Sequence, residues 1–174
     1  MPLTVAIIGA GPLGRWLALS AARAGYRVQL EDVMPGNLHH AREEIRWQLN
    51  AETIPSVTFA ASIEDAVREA DLAVDCVPDE LESKLEILWL LDRMAPPRTI
   101  FATPTTRLEI DDLAACVYRP DKLIAIAAEP QSLACGAAGP LLLRAAKATS
   151  AETIAVVEHF WTSLGFATAV EACS

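Results

Sequence analysis

The sequence predicts an α/β protein: a doubly wound, mostly parallel sheet with helices on both faces. Three observations carry that expectation. Short apolar segments alternate with helical stretches along the chain, the pattern that generates βαβ units. The first apolar segment, Val5-Ala6-Ile7-Ile8, runs directly into the turn Gly9-Ala10-Gly11-Pro12-Leu13-Gly14. A second strand, Arg27 to Asp32, then ends in a carboxylate 18 residues beyond Gly14.

In chain order, Pro12 to Ala24 reads as the first helix, and Gly25 is placed to stop it. After the second strand, Leu38, Ala41, Ile45 and Leu49 recur at helical spacing between Asn37 and Ala51, with Gly36 and Asn37 at the start. Val57 to Ala60 is a short strand. Ser62-Ile63-Glu64-Asp65 resembles a capping box before a helix to Ala70, and Asp71 to Val77 returns as a strand. The helix from Glu80 to Met94 is stopped by Pro96-Pro97 and followed by the strand Thr99 to Ala102. Farther on, the expectations are a helix over Ile110 to Cys116, a strand over Lys122 to Ala128, a loop from Gly136 to Gly139 and a strand over Leu141 to Ala145. Ser150 then caps a helix from Ala151 to Leu164, Gly165 ends it, and Phe166 to Glu171 closes the chain as a strand. The helix from Glu80 to Met94 is apolar on more than one face, through Leu85, Ile87, Leu88, Trp89, Leu90 and Leu91. Either a subunit interface or deep burial accounts for the excess.

The glycine turn carries the chemistry. Gly9 lets the chain bend sharply off the strand, Gly11 lets backbone approach a diphosphate, and Gly14 lets the helix pack closely. The free N–H groups of the helix's first turn favour phosphate at that end. Asp32 is placed to accept a hydrogen bond from an adenosine ribose; the alternative is a solvated strand end. A carboxylate there repels a 2′-phosphate, and no Arg or Lys follows in Val33 to Gly36, so the expected cofactor is NAD rather than NADP. The turn residues Gly9, Ala10, Gly11, Pro12, Leu13 and Gly14, together with Asp32, form the first half of the expected cofactor site.

Composition narrows the rest. With 174 residues, 52% hydrophobic, the chain can bury one core, so residues 1–174 are read as a single dinucleotide-binding domain. The net charge of −9 disfavours a nucleic-acid partner, whose phosphates need clustered Lys and Arg. The apolar runs are strand-length or broken by charge, so no membrane span is expected. The N-terminal run begins at once, lacks a basic leader and ends in the glycine turn, which points to the cytoplasm. Cys76, Cys116, Cys135 and Cys173 are far apart, and His39, His40 and His159 have no ligand spacing to them, so neither zinc nor a disulfide framework is expected.

Val5 to Ala24, Ala70 to Lys84 and Ile100 to Thr106 together resemble the NAD-binding Rossmann domain of 3-hydroxyacyl-CoA dehydrogenases. The resemblance implies that Val77, Asp79 and Lys84 contact the nicotinamide side of the cofactor, although Lys84 also reads as a solvated surface lysine. It implies that Thr106 stands where a substrate-binding serine is expected. The family's histidine, which takes the hydroxyl proton, falls in Ile124 to Pro130, where alanines stand instead. Its partner glutamate is missing from Leu141 to Arg144. The sequence ends at Ser174, where family members continue into a helical domain that closes over acyl-CoA and supplies most of the dimer contact. The implied function is hydride transfer between NAD and a 3-hydroxyacyl-type alcohol in fatty acid metabolism, by a homo-oligomer, with Glu129, His39 or a partner subunit handling the proton. The alternative is a catalytically degenerate NAD sensor or accessory module.

Overall fold

A computed structural model of the chain describes residues 2–129, 132–133 and 140–172. In order these form β1 (Thr4–Ile8), α1 (Pro12–Arg23), β2 (Arg27–Glu31), α2 (Pro35–Gln48), β3 (Val57–Phe59), α3 (Ile63–Val67) and β4 (Leu72–Asp75). There follow α4 (Leu81–Met94), β5 (Ile100–Pro104), α5 (Ile110–Ala114), β6 (Leu123–Ile126), β7 (Leu141–Ala145), α6 (Ala151–Ser163) and β8 (Thr168–Ala172). The strands lie in the order β3-β2-β1-β4-β5-β6-β7-β8. Every pairing is parallel except β6 with β7. The order reverses between β1 and β4. A crevice therefore opens at their carboxyl ends, the place where doubly wound sheets bind ligands.

Alternation along the central strands divides the core in two. Val5 and Ile7 of β1 face a cluster with Leu17 of α1, Ile45 of α2 and Trp161 of α6. Ala6 and Ile8 face the opposite cluster, with Val67 of α3, Leu88 and Leu91 of α4 and Leu113 of α5. Both faces of the parallel strands are thereby covered, as their uninterrupted apolar sequences require. Trp161 stacks on Trp16 with centroids 6.5 Å apart and meets Phe166 edge-on at 5.6 Å, which binds α6 to α1.

Element boundaries move for local reasons. The second helix starts at Pro35 rather than Asn37, because proline's fixed φ suits the first helical position. The third ends at Val67, short of Ala70, whose N–H closes a turn on the Val67 carbonyl. Ser62 and Ser150 do cap their helices, accepting from Asp65 N–H and Thr153 N–H. The last strand starts at Thr168, after Phe166 N–H has bonded back to the Trp161 carbonyl. Residues 136–139, expected as a loop, and Cys135 and Cys173 lie outside the described residues.

On α4, Leu88 and Leu91 are fully buried against the sheet, whereas Leu81, Trp89 and Met94 are exposed. Arg93 covers Trp89, its guanidinium carbon 4.4 Å from the ring centroid. The expected excess apolar face of this helix thus divides between core and surface.

The approach of α1 to the end of β1 is the tightest contact of the fold. Gly9 holds φ at +105°, and a Cβ there would stand 2.9 Å from the Cys76 carbonyl oxygen. A Cβ on Gly14 would stand 1.8 Å from the Gly9 carbonyl oxygen and 3.5 Å from the Ile7 side chain. The backbone of the turn cannot yield without moving helix or strand. Gly14→Ala is therefore expected to lower the unfolding free energy by about 2 kcal/mol or more, the scale of overpacking a close contact. Urea denaturation measures it; wild-type stability in this variant would mean that α1 sits farther from the turn.

Candidate functional site

The crevice between β1 and β4 holds a cavity of about 570 Å³. Of the residues expected at the cofactor, Gly9, Gly11, Pro12, Leu13, Asp32 and Val77 line it. Ala10 and Gly14 are buried behind it and shape the turn from within. A Cβ on Gly11 would meet nothing within 4 Å, so the backbone there borders open space. The first N–H groups of α1 have no acceptor within the helix, and no acidic residue stands in its first turn. Together these features form a cradle for a diphosphate.

Asp32 is more occupied than its sequence position suggests. Its Oδ2 accepts from Ala10 N–H at 2.7 Å and from the Asn37 amide at 3.0 Å, while Oδ1 accepts from Met34 N–H at 2.7 Å. A carboxylate offers about four acceptor positions, so one remains for a sugar hydroxyl. The carboxylate therefore both ties the glycine turn to β2 and presents an acceptor to the cavity. Glu31 beside it also lines the cavity. Burial, and secondarily the Asp32 charge, push the Glu31 carboxyl above its ordinary range. No Lys or Arg is among the lining residues, which carry the two carboxylates instead.

Beyond β4 the expected residues separate. Lys84 is neither a surface lysine nor a lining residue: it is fully buried, with Nζ 3.1 Å from Asp75 Oδ2 and 3.2 Å from Oδ1. Its long side chain turns back from the first turn of α4 onto the end of β4, so its charge serves Asp75. That carboxylate also accepts from the Thr103 hydroxyl at 2.7 Å and from Val77 N–H at 3.1 Å. Burial pushes the Asp75 carboxyl above the usual range, and the Lys84 charge and the hydrogen bonds work against that rise. Cys76, next in sequence, lines the cavity half-buried, and burial and the Asp75 charge push its thiol well above its ordinary range.

Asp79 Oδ2 accepts from Thr106 N–H at 3.2 Å, while Oδ1 is buried with no partner. An orphaned buried acceptor at this point fits a ligand hydroxyl. The Thr106 hydroxyl donates to Glu129 Oε1 at 2.5 Å. His39 is exposed beside His40 on α2, which follows β2; β1 and β4 separate that strand from β5 and its Thr106. The Thr106 hydroxyl proton has Glu129 as its partner, not His39. His159 is exposed on α6, and among the described residues no group of three His, Cys, Asp or Glu could hold a metal. Glu31, Asp75 and Thr103 were not singled out from sequence; an acid closing the apolar run Leu72-Ala73-Val74, with a lysine nine residues on, was the available signal for the buried pair.

The family described as 3-hydroxyacyl-CoA dehydrogenase, NAD binding domain, matches residues 4–128. The chain belongs to this family. It is 32% identical over 132 residues to a probable 3-hydroxybutyryl-CoA dehydrogenase of Bacillus subtilis, covering 69% of this chain and 46% of that protein. It is 32% identical over 130 residues to the L-carnitine dehydrogenase of Oceanobacillus iheyensis, covering 69% of this chain and 42% of that one. The crystal structure of 3-hydroxybutyryl-CoA dehydrogenase from Escherichia coli superposes with a TM-score of 0.84 at 25% identity, over 99% of this chain and 38% of that one. This chain thus spans less than half the length of these relatives. It is an NAD-binding domain of the family, with the sheet and crevice that the sequence predicted.

Removing the Lys84 charge leaves Asp75 buried alone. Lys84→Met is expected to cost about 3–5 kcal/mol near neutral pH, the scale for breaking a buried pair. Without the ammonium the folded carboxyl rises further above its unfolded value of about 3.9, so the folded state binds the proton more tightly. The variant's deficit should therefore shrink as pH falls through the folded value. Urea unfolding at neutral and mildly acidic pH checks this; an equal deficit at both would show that Asp75 is not ionised in the fold.

Proposed function

We infer that this protein transfers hydride between NAD and a secondary alcohol of the 3-hydroxyacyl type. The observation that carries the reading is the crevice itself: a bare glycine turn at a helix N-terminus, two carboxylates where a ribose would lie, and no lining cation. Gly11 and the first turn of α1 would hold the diphosphate, Asp32 the adenosine ribose, and the free Asp79 Oδ1 a hydroxyl on the nicotinamide side. Bound there, NAD supplies the acceptor for the hydride. Partly buried Val77 and Ile87 line that half of the cavity with apolar surface, which favours an uncharged ring over water.

The two relatives, a probable 3-hydroxybutyryl-CoA dehydrogenase and an L-carnitine dehydrogenase, support an acyl substrate with a hydroxyl and leave its carrier open. An acyl-CoA is the substrate class assigned here, with a place in fatty acid metabolism in the cytoplasm. No helix among the described residues is long and apolar enough to cross a membrane. Exposed Leu81, Trp89 and Met94 on α4 support a second copy of the chain as partner. No observation favours the cofactor-sensing alternative.

Calorimetry is expected to give micromolar NAD binding, about −8 kcal/mol. Gly11→Val places a branched side chain in the open cradle without touching the fold, so it should abolish binding at wild-type thermal stability. Asp32→Ala should weaken binding and relax the preference over NADP. NAD affinity unchanged in both variants would remove the diphosphate and ribose assignments.

A further inference from the structure

The chain has no histidine in the segment where the family resemblance implies the base, yet three loops converge on Thr106. β4, β5 and β6 are parallel neighbours, so their carboxyl ends lie side by side. The loops leaving them contribute Asp79, Thr106 and Glu129. Thr106 is held firmly: its N–H donates to Asp79 Oδ2, and its hydroxyl donates to Glu129 Oε1. Arg144 fixes the same loop from β7, donating through Nη2 to the carbonyls of Thr105 at 3.1 Å and Leu108 at 3.2 Å. The Thr105 hydroxyl accepts from Leu108 N–H at 3.1 Å.

A hydroxyl has one proton and two lone pairs. That of Thr106 gives its proton to Glu129, so its lone pairs are free to accept from a substrate alcohol. We propose that Thr106 and Glu129 form a proton relay that stands in for the missing histidine, with Glu129 as the terminal acceptor. The proposal rests on the hydride-transfer reading above. When the substrate O–H bond breaks, its proton bonds to Thr106 Oγ1, and the original Thr106 proton passes to Glu129 Oε1. The carbon–oxygen double bond forms as the C–H electron pair leaves to NAD. The products are a ketone, reduced cofactor and a protonated Glu129 carboxyl. Both Thr106 and Glu129 are exposed, so the carboxyl can return its proton to water before the next turnover. The half-buried Asp79, with one oxygen already on Thr106 N–H, orients the loop and stays out of the transfer.

The test uses the chain with NAD, 3-hydroxybutyryl-CoA as substrate and acetoacetyl-CoA as a ketone probe, following NADH formation and measuring both ligands' affinities by calorimetry. Glu129→Gln keeps the size and the hydrogen bond but accepts no proton; kcat should fall about 100-fold or more, the scale for a lost base. Its NAD and acetoacetyl-CoA affinities should stay within about twofold, which a merely structural role would not spare. Thr106→Val should lose kcat similarly and bind acetoacetyl-CoA roughly 2- to 10-fold more weakly, as for one missing hydrogen bond. Thr106→Ser and Glu129→Asp should each recover activity to within about tenfold of wild type, because they retain hydroxyl and carboxylate. A Glu129→Gln protein that turns over like wild type overturns the relay. So does a wild type that binds NAD and the ketone but forms no NADH, while leaving the cofactor site standing. A wild type that does not bind NAD overturns the hydride-transfer reading itself.

Discussion

Helix α1 can begin where it does only because two positions carry no side chain. The virtual Cβ of Gly14 overlaps the Gly9 carbonyl oxygen, and that of Gly9 meets the Cys76 backbone just past β4. This contact sets the direction of α1, and through it the site. The helix N-terminus is brought over the carboxyl end of β1, at the strand-order reversal, where its unpaired amides face the crevice instead of another strand. Gly9 N–H bonds to the Glu31 carbonyl and Ala10 N–H to the Asp32 carboxylate, so β2 clasps the turn from the side. Asp32 is thereby part of the scaffold that shapes the glycine turn. Its two tasks are linked because one oxygen holds the turn while the other keeps room for a ligand.

A second constraint secures the opposite wall of the crevice. Asp75 and Lys84 are both withdrawn from water, and neither would be tolerated there without the other and without the Thr103 hydroxyl. The pair joins the end of β4 to the first turn of α4 and to β5. Val77 N–H is drawn onto the same carboxylate, which orients the backbone that lines the cavity. Lys84 therefore acts on the backbone that lines the cavity through Asp75. A hydrophobic pair could fill that volume at less cost in desolvation, so what the ions contribute is a fixed geometry for the loop from Cys76 to Glu80.

The glycine spacing, the strand alternation and Asp32 were legible in the sequence because each obeys a local rule: a turn that needs bare backbone, a period of two, a strand end after a helix. Lys84 gave no sign of its burial against Asp75, for a physical reason. From its helical position alone it looks solvated, and only the tertiary approach of α4 to β4 decides that its side chain folds inward. The proximity of Thr106 and Glu129 was equally hidden, since 23 residues separate them and parallel pairing of β5 with β6 brings their loops together. The sequence shows no histidine between Ile124 and Pro130, whereas the seating of Glu129 on the Thr106 hydroxyl was not visible in it. Helix ends shifted by a few residues wherever proline or a back-bonded amide set the limit.

Charge accounts for how such a site selects its ligand. The chain carries 23 acidic against 14 basic residues, and the cavity itself offers Glu31 and Asp32 with no basic side chain on its lining. Attraction for phosphate comes from backbone amides and the helix dipole, which act within a turn's length and fade beyond it. Two bridging phosphates in that narrow zone are favoured. A further phosphate on the ribose would meet carboxylates, one of them buried enough for its own ionisation to be opposed. In the proposed binding mode, discrimination between the two nicotinamide cofactors would rest on repulsion at one end and on dipoles at the other, with no need for a dedicated cationic clamp. The proposed relay draws on the same acidity, since the Thr106 hydroxyl already donates to the Glu129 carboxylate.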